Sequence, residues 1–128
     1  MKHKILIVED NPHIRENTTE LLELSNYIVL TATNGKEGLD MALTHRPDLI
    51  LCDIMMPVMN GYHLLEHIHE QPSLKNCRFI FFTASAERKE VEAGLKMGAH
   101  DYIIKPFYGD DLLAKLKKQL ENRFTISC

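Results

Sequence analysis

Short, uninterrupted apolar runs alternate along this chain with longer stretches whose apolar positions recur at helical spacing. Ile5-Leu6-Ile7-Val8 is the first run, and between Pro12 and Leu24 the residues Ile14, Thr18, Leu21 and Leu22 fall on one helical face. A strand followed by a helix is predicted. Residues 27–32 predict a second strand, and Asn34, with Glu37 one turn further on, predicts a capped helix whose Leu39, Ala42 and Leu43 face inward. Residues 48–52 read as a third strand, 61–69 as a third helix and 79–82 as a fourth strand. Ser85 is expected to cap a helix carrying Val91 and Leu95, with Gly98 closing it. Residues 102–104 form the fifth strand, and Leu112, Leu116 and Leu120 mark a last helix.

Strands that are apolar throughout are expected where both faces of a sheet are covered, and helices between them act as right-handed crossovers. The expected fold is therefore α/β, an open, doubly wound (βα)5 three-layer sandwich around a parallel sheet. In such sheets ligands bind beyond the carboxyl ends of the strands, where the strand order reverses.

Composition narrows the function classes. The 128 residues suit one domain, and 45% hydrophobic with 26% charged residues is a globular balance. The net charge of −3 gives no positive field for a nucleic-acid backbone, so direct nucleic-acid binding is not expected. No stretch approaches the roughly 20 apolar residues of a membrane span, and the first apolar run is too short for a signal peptide; a cytoplasmic location is expected. Cys52, Cys77 and Cys128 are odd in number and lack metal-knuckle spacing, so Cys52 reads as a core residue.

The strand ends carry the chemistry. Glu9-Asp10 follows the first strand, Asp53 the third, Thr83 the fourth and Lys105-Pro106 the fifth. Carboxylates gathered at one rim repel one another unless a cation settles among them, and an all-oxygen donor set suits Mg²⁺, with Mn²⁺ as a substitute. A zinc site built from His63, His67 and His69 is disfavoured by the absence of an H-E-x-x-H motif. Asn11-Pro12 reads as a helix start rather than as a metal ligand, and Lys115, Lys117 and Lys118 as a solvated helix face.

This set, together with Asp53-Ile54-Met55-Met56-Pro57-Val58-Met59-Asn60-Gly61, Thr83-Ala84 and Lys105-Pro106-Phe107, resembles the receiver domain of two-component response regulators from Ile5 to about Leu120. The resemblance implies a flavodoxin-like sheet of order 2-1-3-4-5, a receiver spanning residues 1–122 and a tail or linker stub at 123–128. It implies that Asp53 accepts a phosphoryl group and that Glu9, Asp10, Asp53 and the Met55 carbonyl hold Mg²⁺. Thr83 and Lys105 would contact the phosphoryl group, Thr83 and Tyr102 would form a switch, and the Lys105-Pro106 bond would be cis. Met55 and Ser85 would tune the phosphoryl lifetime. The implied partners are a histidine kinase or histidine phosphotransfer protein, and an output domain or downstream protein met through the face of the fourth helix, fifth strand and fifth helix. A homodimer is a further option. Such a protein is a signalling phosphoacceptor rather than an enzyme acting on other substrates, and it acts alone or as part of a larger regulator or hybrid kinase.

Three rival readings share parts of this pattern. A flavin carrier would need phosphate-binding amides where Glu9-Asp10-Asn11 stands, and the chain has no Trp for flavin stacking. A haloacid dehalogenase-type phosphatase would place an acid where Met55 stands. A phosphorylation-independent docking module of the same fold is the remaining alternative.

Overall fold

The computed structural model describes residues 2–84 and 88–122. Five strands alternate with five helices: β1 (Lys4–Val8), α1 (Pro12–Leu24), β2 (Ile28–Ala32), α2 (Gly35–His45), β3 (Leu49–Cys52), α3 (Gly61–His69), β4 (Arg78–Thr83), α4 (Arg88–Lys96), β5 (Asp101–Ile104) and α5 (Gly109–Asn122). All pairings are parallel, in the order β2-β1-β3-β4-β5. The order turns back between β1 and β3, so the rim beside their carboxyl ends is the crevice that this architecture offers to ligands. This is the flavodoxin-like fold expected from the sequence.

Side-chain alternation divides the apolar strands between two cores. Leu6, Val8, Ile50, Cys52, Phe79 and Phe81 pack with Ala42, Leu64, Leu65 and Ile68 on one face, while Ile5, Ile7, Leu49, Leu51, Ile80 and Phe82 pack with Leu22, Leu112, Leu116 and Leu120 on the other. Each fully buried aliphatic or aromatic side chain contributes about 1.5–3 kcal/mol of transfer free energy, which ties the strand positions to a fixed register.

Local signals set the helix starts. Asn11 Oδ1 accepts from His13 N at 2.9 Å and Ile14 N at 3.1 Å, with Pro12 at the first helical position. Asn34 Oδ1 accepts from Glu37 N at 2.9 Å. The Glu37 carboxylate reaches one residue further back than in a standard capping box, accepting from Thr33 N at 3.2 Å and Thr33 Oγ1 at 3.1 Å.

One expected inward position differs: Leu43 is 38% exposed. It lies at the border of the apolar stripe, where helical spacing cannot separate the covered side from the open one. On α4 Gly94 lies so near the sheet that a Cβ there would be 2.6 Å from Phe81 Cε2. A short 3-10 turn at Pro72–Leu74, not anticipated from the pattern, joins α3 to β4. Gly98 follows α4 with φ at 108°, a left-handed conformation that glycine adopts without a Cβ penalty. The Ser85 cap and the tail at 123–128 lie outside the described residues.

Candidate functional site

The backbone of the rim is fixed before any side chain is considered. Glu9 N donates to Ala32 O at 3.0 Å, Asp53 N to Val8 O at 3.0 Å and Lys105 N to Thr83 O at 2.7 Å, so each strand end is tied to its neighbour. After β3 the chain loops over residues 53–60 and returns so closely that a Cβ on Gly61 would collide with the Asp53 carbonyl. Gly61 N donates to Ile54 O at 2.8 Å and closes this loop. Within it Val58 has φ at 69°, a backbone conformation that costs a β-branched residue on the order of 1–3 kcal/mol.

On this frame Glu9, Asp10 and Asp53 each present a carboxylate oxygen, and the three oxygens lie within 4.8 Å of one another. Glu9 is fully buried, Asp53 is 7% exposed and Asp10 is exposed. Lys105 Nζ pairs with Glu9 Oε1 at 2.6 Å and Asp53 Oδ2 at 3.4 Å, and sits 4.7 Å from the centre of the Phe82 ring. Burial pushes the Glu9 carboxyl up to about 7 against the pull of Lys105, with Asp10 and Asp53 adding to the rise. Burial, with the Asp53 and Glu9 charges behind it, also holds the Cys52 thiol well above its usual range. Cys52 accordingly serves as a neutral donor, its Sγ reaching Asp53 O at 3.0 Å.

An oxygen-only set with two buried carboxylates and one exposed matches a hard divalent cation that keeps part of its water shell. It fits Mg²⁺ by donor chemistry and by the crowding of negative charge. Among the described residues this is the one group of at least three potential metal ligands that converges; His63, His67 and His69 do not form another.

Asp53, Met55, Thr83, Ala84, Glu90 and Lys105 line an open cleft of about 380 Å³. Thr83 ends β4 and is buried, whereas the Met55 side chain is 69% exposed. The Lys105-Pro106 peptide bond is cis. Tyr102, on β5, is not among the lining residues; it is half-buried against the core under α3, and Lys115 Nζ lies 5.4 Å from its ring centre. Lys115 also pairs with Asp101 Oδ1 at 3.1 Å, so this lysine is engaged rather than part of a freely solvated face.

The rim thus gathers Glu9, Asp10, Asp53, Thr83 and Lys105. It adds Glu90, which sequence reasoning missed. Glu90 lies on the first turn of α4, where an acidic residue is an ordinary complement to the helix dipole, and nothing in its local sequence marks it out.

The family model described as "Response regulator receiver domain" matches residues 5–117. The response regulator ArlR of Staphylococcus aureus is 40% identical, the match covering 94% of this chain and 53% of that protein. The chain therefore spans about half the length of this curated relative. A CheY-like response regulator receiver domain protein from Methanospirillum hungatei superposes with a TM-score of 0.89 at 32% identity, covering 98% of each chain. A chain of a CheX-CheY-BeF3-Mg complex from Borrelia burgdorferi superposes with a TM-score of 0.85 at 28% identity, covering 91% of this chain and 87% of that one.

Proposed function

This chain belongs to the response regulator receiver domain family, and from that premise we propose that it accepts a phosphoryl group on Asp53 and passes the signal on through a change of surface. The observation that carries the proposal is the convergence of Glu9, Asp10 and Asp53 within 4.8 Å, with the Lys105 ammonium 3.4 Å from Asp53.

An Asp53 carboxylate oxygen attacks the donor's phosphorus and forms an acyl phosphate while the bond from phosphorus to the donor breaks. The barrier is chiefly electrostatic, because an anion must approach an anionic phosphoryl group. Lys105 brings a compact positive charge, and the Thr83 hydroxyl a hydrogen bond, to the oxygens that carry that charge. Glu9, Asp10, Asp53 and the Met55 carbonyl would hold Mg²⁺, with Mn²⁺ as a substitute. When bound, the ion supplies charge neutralisation at the phosphoryl oxygens. The Borrelia relative, crystallised with BeF3 and Mg, supports this assignment by likeness.

The donor is a histidine kinase or histidine phosphotransfer protein. An apolar groove of about 650 Å³ between Ile14, Leu21 and Phe107 shares Ala84 and Lys105 with the cleft and offers such a protein an apolar surface beside Asp53. Slow hydrolysis of the acyl phosphate by water ends the signal, so the chain catalyses only its own transfer and dephosphorylation. The added charge draws Thr83 toward the phosphoryl group, and Tyr102 turns into the space vacated. The face of α4, β5 and α5 then meets an output domain, a downstream protein or a second copy of the chain. The reading includes a cytoplasmic setting, and no described helix is long and apolar enough to cross a membrane.

The test is incubation with Mg²⁺ and phosphoramidate, followed by intact mass measurement of the wild type and Asp53→Asn. One phosphoryl addition in the wild type and none in the variant is the expected result. No addition in either would leave the phosphorylation-independent docking module as the better account.

A further inference from the structure

Two carboxylates line the phosphoryl cleft, and they are treated differently. Asp53 has Lys105 beside it at 3.4 Å. Glu90 lines the same cleft, yet its Oε2 is buried with no hydrogen-bond partner among the described residues. The residue also lines the groove between α3 and α4 with Asn60, Tyr62, His63 and Lys89, so it stands in the wall between cleft and groove. Its backbone is anchored there: Tyr62 Oη donates to the Glu90 carbonyl at 3.0 Å, and the Tyr62 ring meets Phe81 of β4 edge-on at 5.5 Å. Burial raises the Tyr62 phenol, and the Glu90 charge raises it further, in keeping with a carboxylate held near that hydroxyl.

We infer that Glu90 is a positioning residue that shortens the life of the phosphorylated state by like-charge repulsion across the cleft, a reading that rests on Asp53 being the phosphoacceptor. Phosphorylation adds about 1.5 to 2 negative charges at Asp53, in a cleft that the Glu90 carboxylate also lines. In hydrolysis the water oxygen bonds to phosphorus as the bond from phosphorus to the Asp53 oxygen breaks. The electron pair of that bond returns to the Asp53 carboxylate, and the water protons leave with the phosphate and the solvent. In a loose transition state, negative charge flows from the phosphoryl oxygens toward the departing carboxylate oxygen, away from the Glu90 wall. Repulsion from Glu90 is therefore larger before the transition state than in it, and it speeds loss of the group. For an incoming anionic donor the same repulsion acts in the opposite sense and slows uptake.

The experiment compares wild type, Glu90→Gln and Glu90→Asp, each shown to be folded by its thermal melt. Uptake from phosphoramidate with Mg²⁺ is followed by intact mass, then decay after the donor is removed. Glu90→Gln keeps the shape and removes the charge. It should take up the phosphoryl group faster and keep it about 5- to 20-fold longer, while Glu90→Asp stays near wild type in both rates. Slower uptake in Glu90→Gln, equal lifetimes, or a Glu90→Asp protein that behaves like Glu90→Gln would each overturn the inference, because a purely structural role gives those outcomes. Failure of all three proteins to gain mass would overturn the Asp53 reading and this inference with it; rates that do not differ, in proteins that do gain mass, overturn this inference alone.

Discussion

The Lys105 ammonium lies closer to Glu9, at 2.6 Å, than to Asp53, at 3.4 Å. It therefore stabilises two buried acids at once, and leans toward the one with the greater desolvation cost. Removing it would leave Glu9 fully buried without its closest cation, a loss that costs roughly 3–5 kcal/mol when a buried pair is broken from one side.

That double duty separates two substitutions. Lys105→Met should lower the rate of phosphoryl uptake from phosphoramidate by about 100-fold or more, since a stabilising charge in a dry site is lost. Lys105→Arg keeps the charge on a wider, planar head and should stay within about 10-fold of wild type. Time courses by intact mass at matched Mg²⁺ would check both, and equal losses would argue against an electrostatic role.

Asp10 is the exposed member of the acidic trio. Magnesium at about 100 times its dissociation constant should stabilise the wild type by about 3 kcal/mol, a rise in Tm on the order of 10 °C. Asp10→Asn should melt at or slightly above the wild-type temperature without metal and lose most of the Mg²⁺-dependent rise. Thermal melts over a magnesium series measure it directly.

At the far rim, burial lowers the His100 imidazole from 6.5 to about 4, with the Arg78 charge and then His69 adding to the effect. Its Nδ1 accepts from Phe79 N at 3.0 Å, so protonation there also breaks a hydrogen bond. Because the folded value lies below the unfolded one, the contribution to stability is complete above pH 6.5 and is lost as the pH falls to about 4. Wild type should lose about 3 kcal/mol across that window through this residue. His100→Asn, whose Oδ1 can take the same hydrogen bond, should show a flatter dependence in urea melts.

Tyr102 stands outside the cleft, under Lys115. Tyr102→Ala should leave phosphoryl uptake on Asp53 unchanged and abolish the difference in partner binding between the phosphorylated and unphosphorylated protein. Mass measurement and a binding titration with the partner would separate the two effects, and a parallel loss of both would count against a switch role.

The strand ends were legible because a run such as Ile5-Leu6-Ile7-Val8 stops abruptly at a charge, and in a parallel sheet all such stops share one rim. Leu43 is more exposed than its spacing suggests because position on a helix gives an angle, whereas exposure depends on how far the neighbouring layer extends. The pairing of Lys105 with Glu9 spans 96 residues and depends on which acid is buried more deeply, which is a property of packing. Glu90 escaped notice for the same reason: only the approach of α4 to β4, allowed by Gly94 against Phe81, brings its carboxylate to the cleft.

Glu9, Asp10, Asp53, Thr83 and Lys105 all come from the carboxyl ends of the strands, while Lys75 and Asn76 lie exposed in the turn that enters β4 from the opposite end. The molecule consequently has a working pole and a silent one. Foreign sequence spliced between Lys75 and Asn76 would sit a full strand length from Asp53, which makes that turn a natural insertion point for a fluorescent label that leaves the phosphoryl chemistry undisturbed.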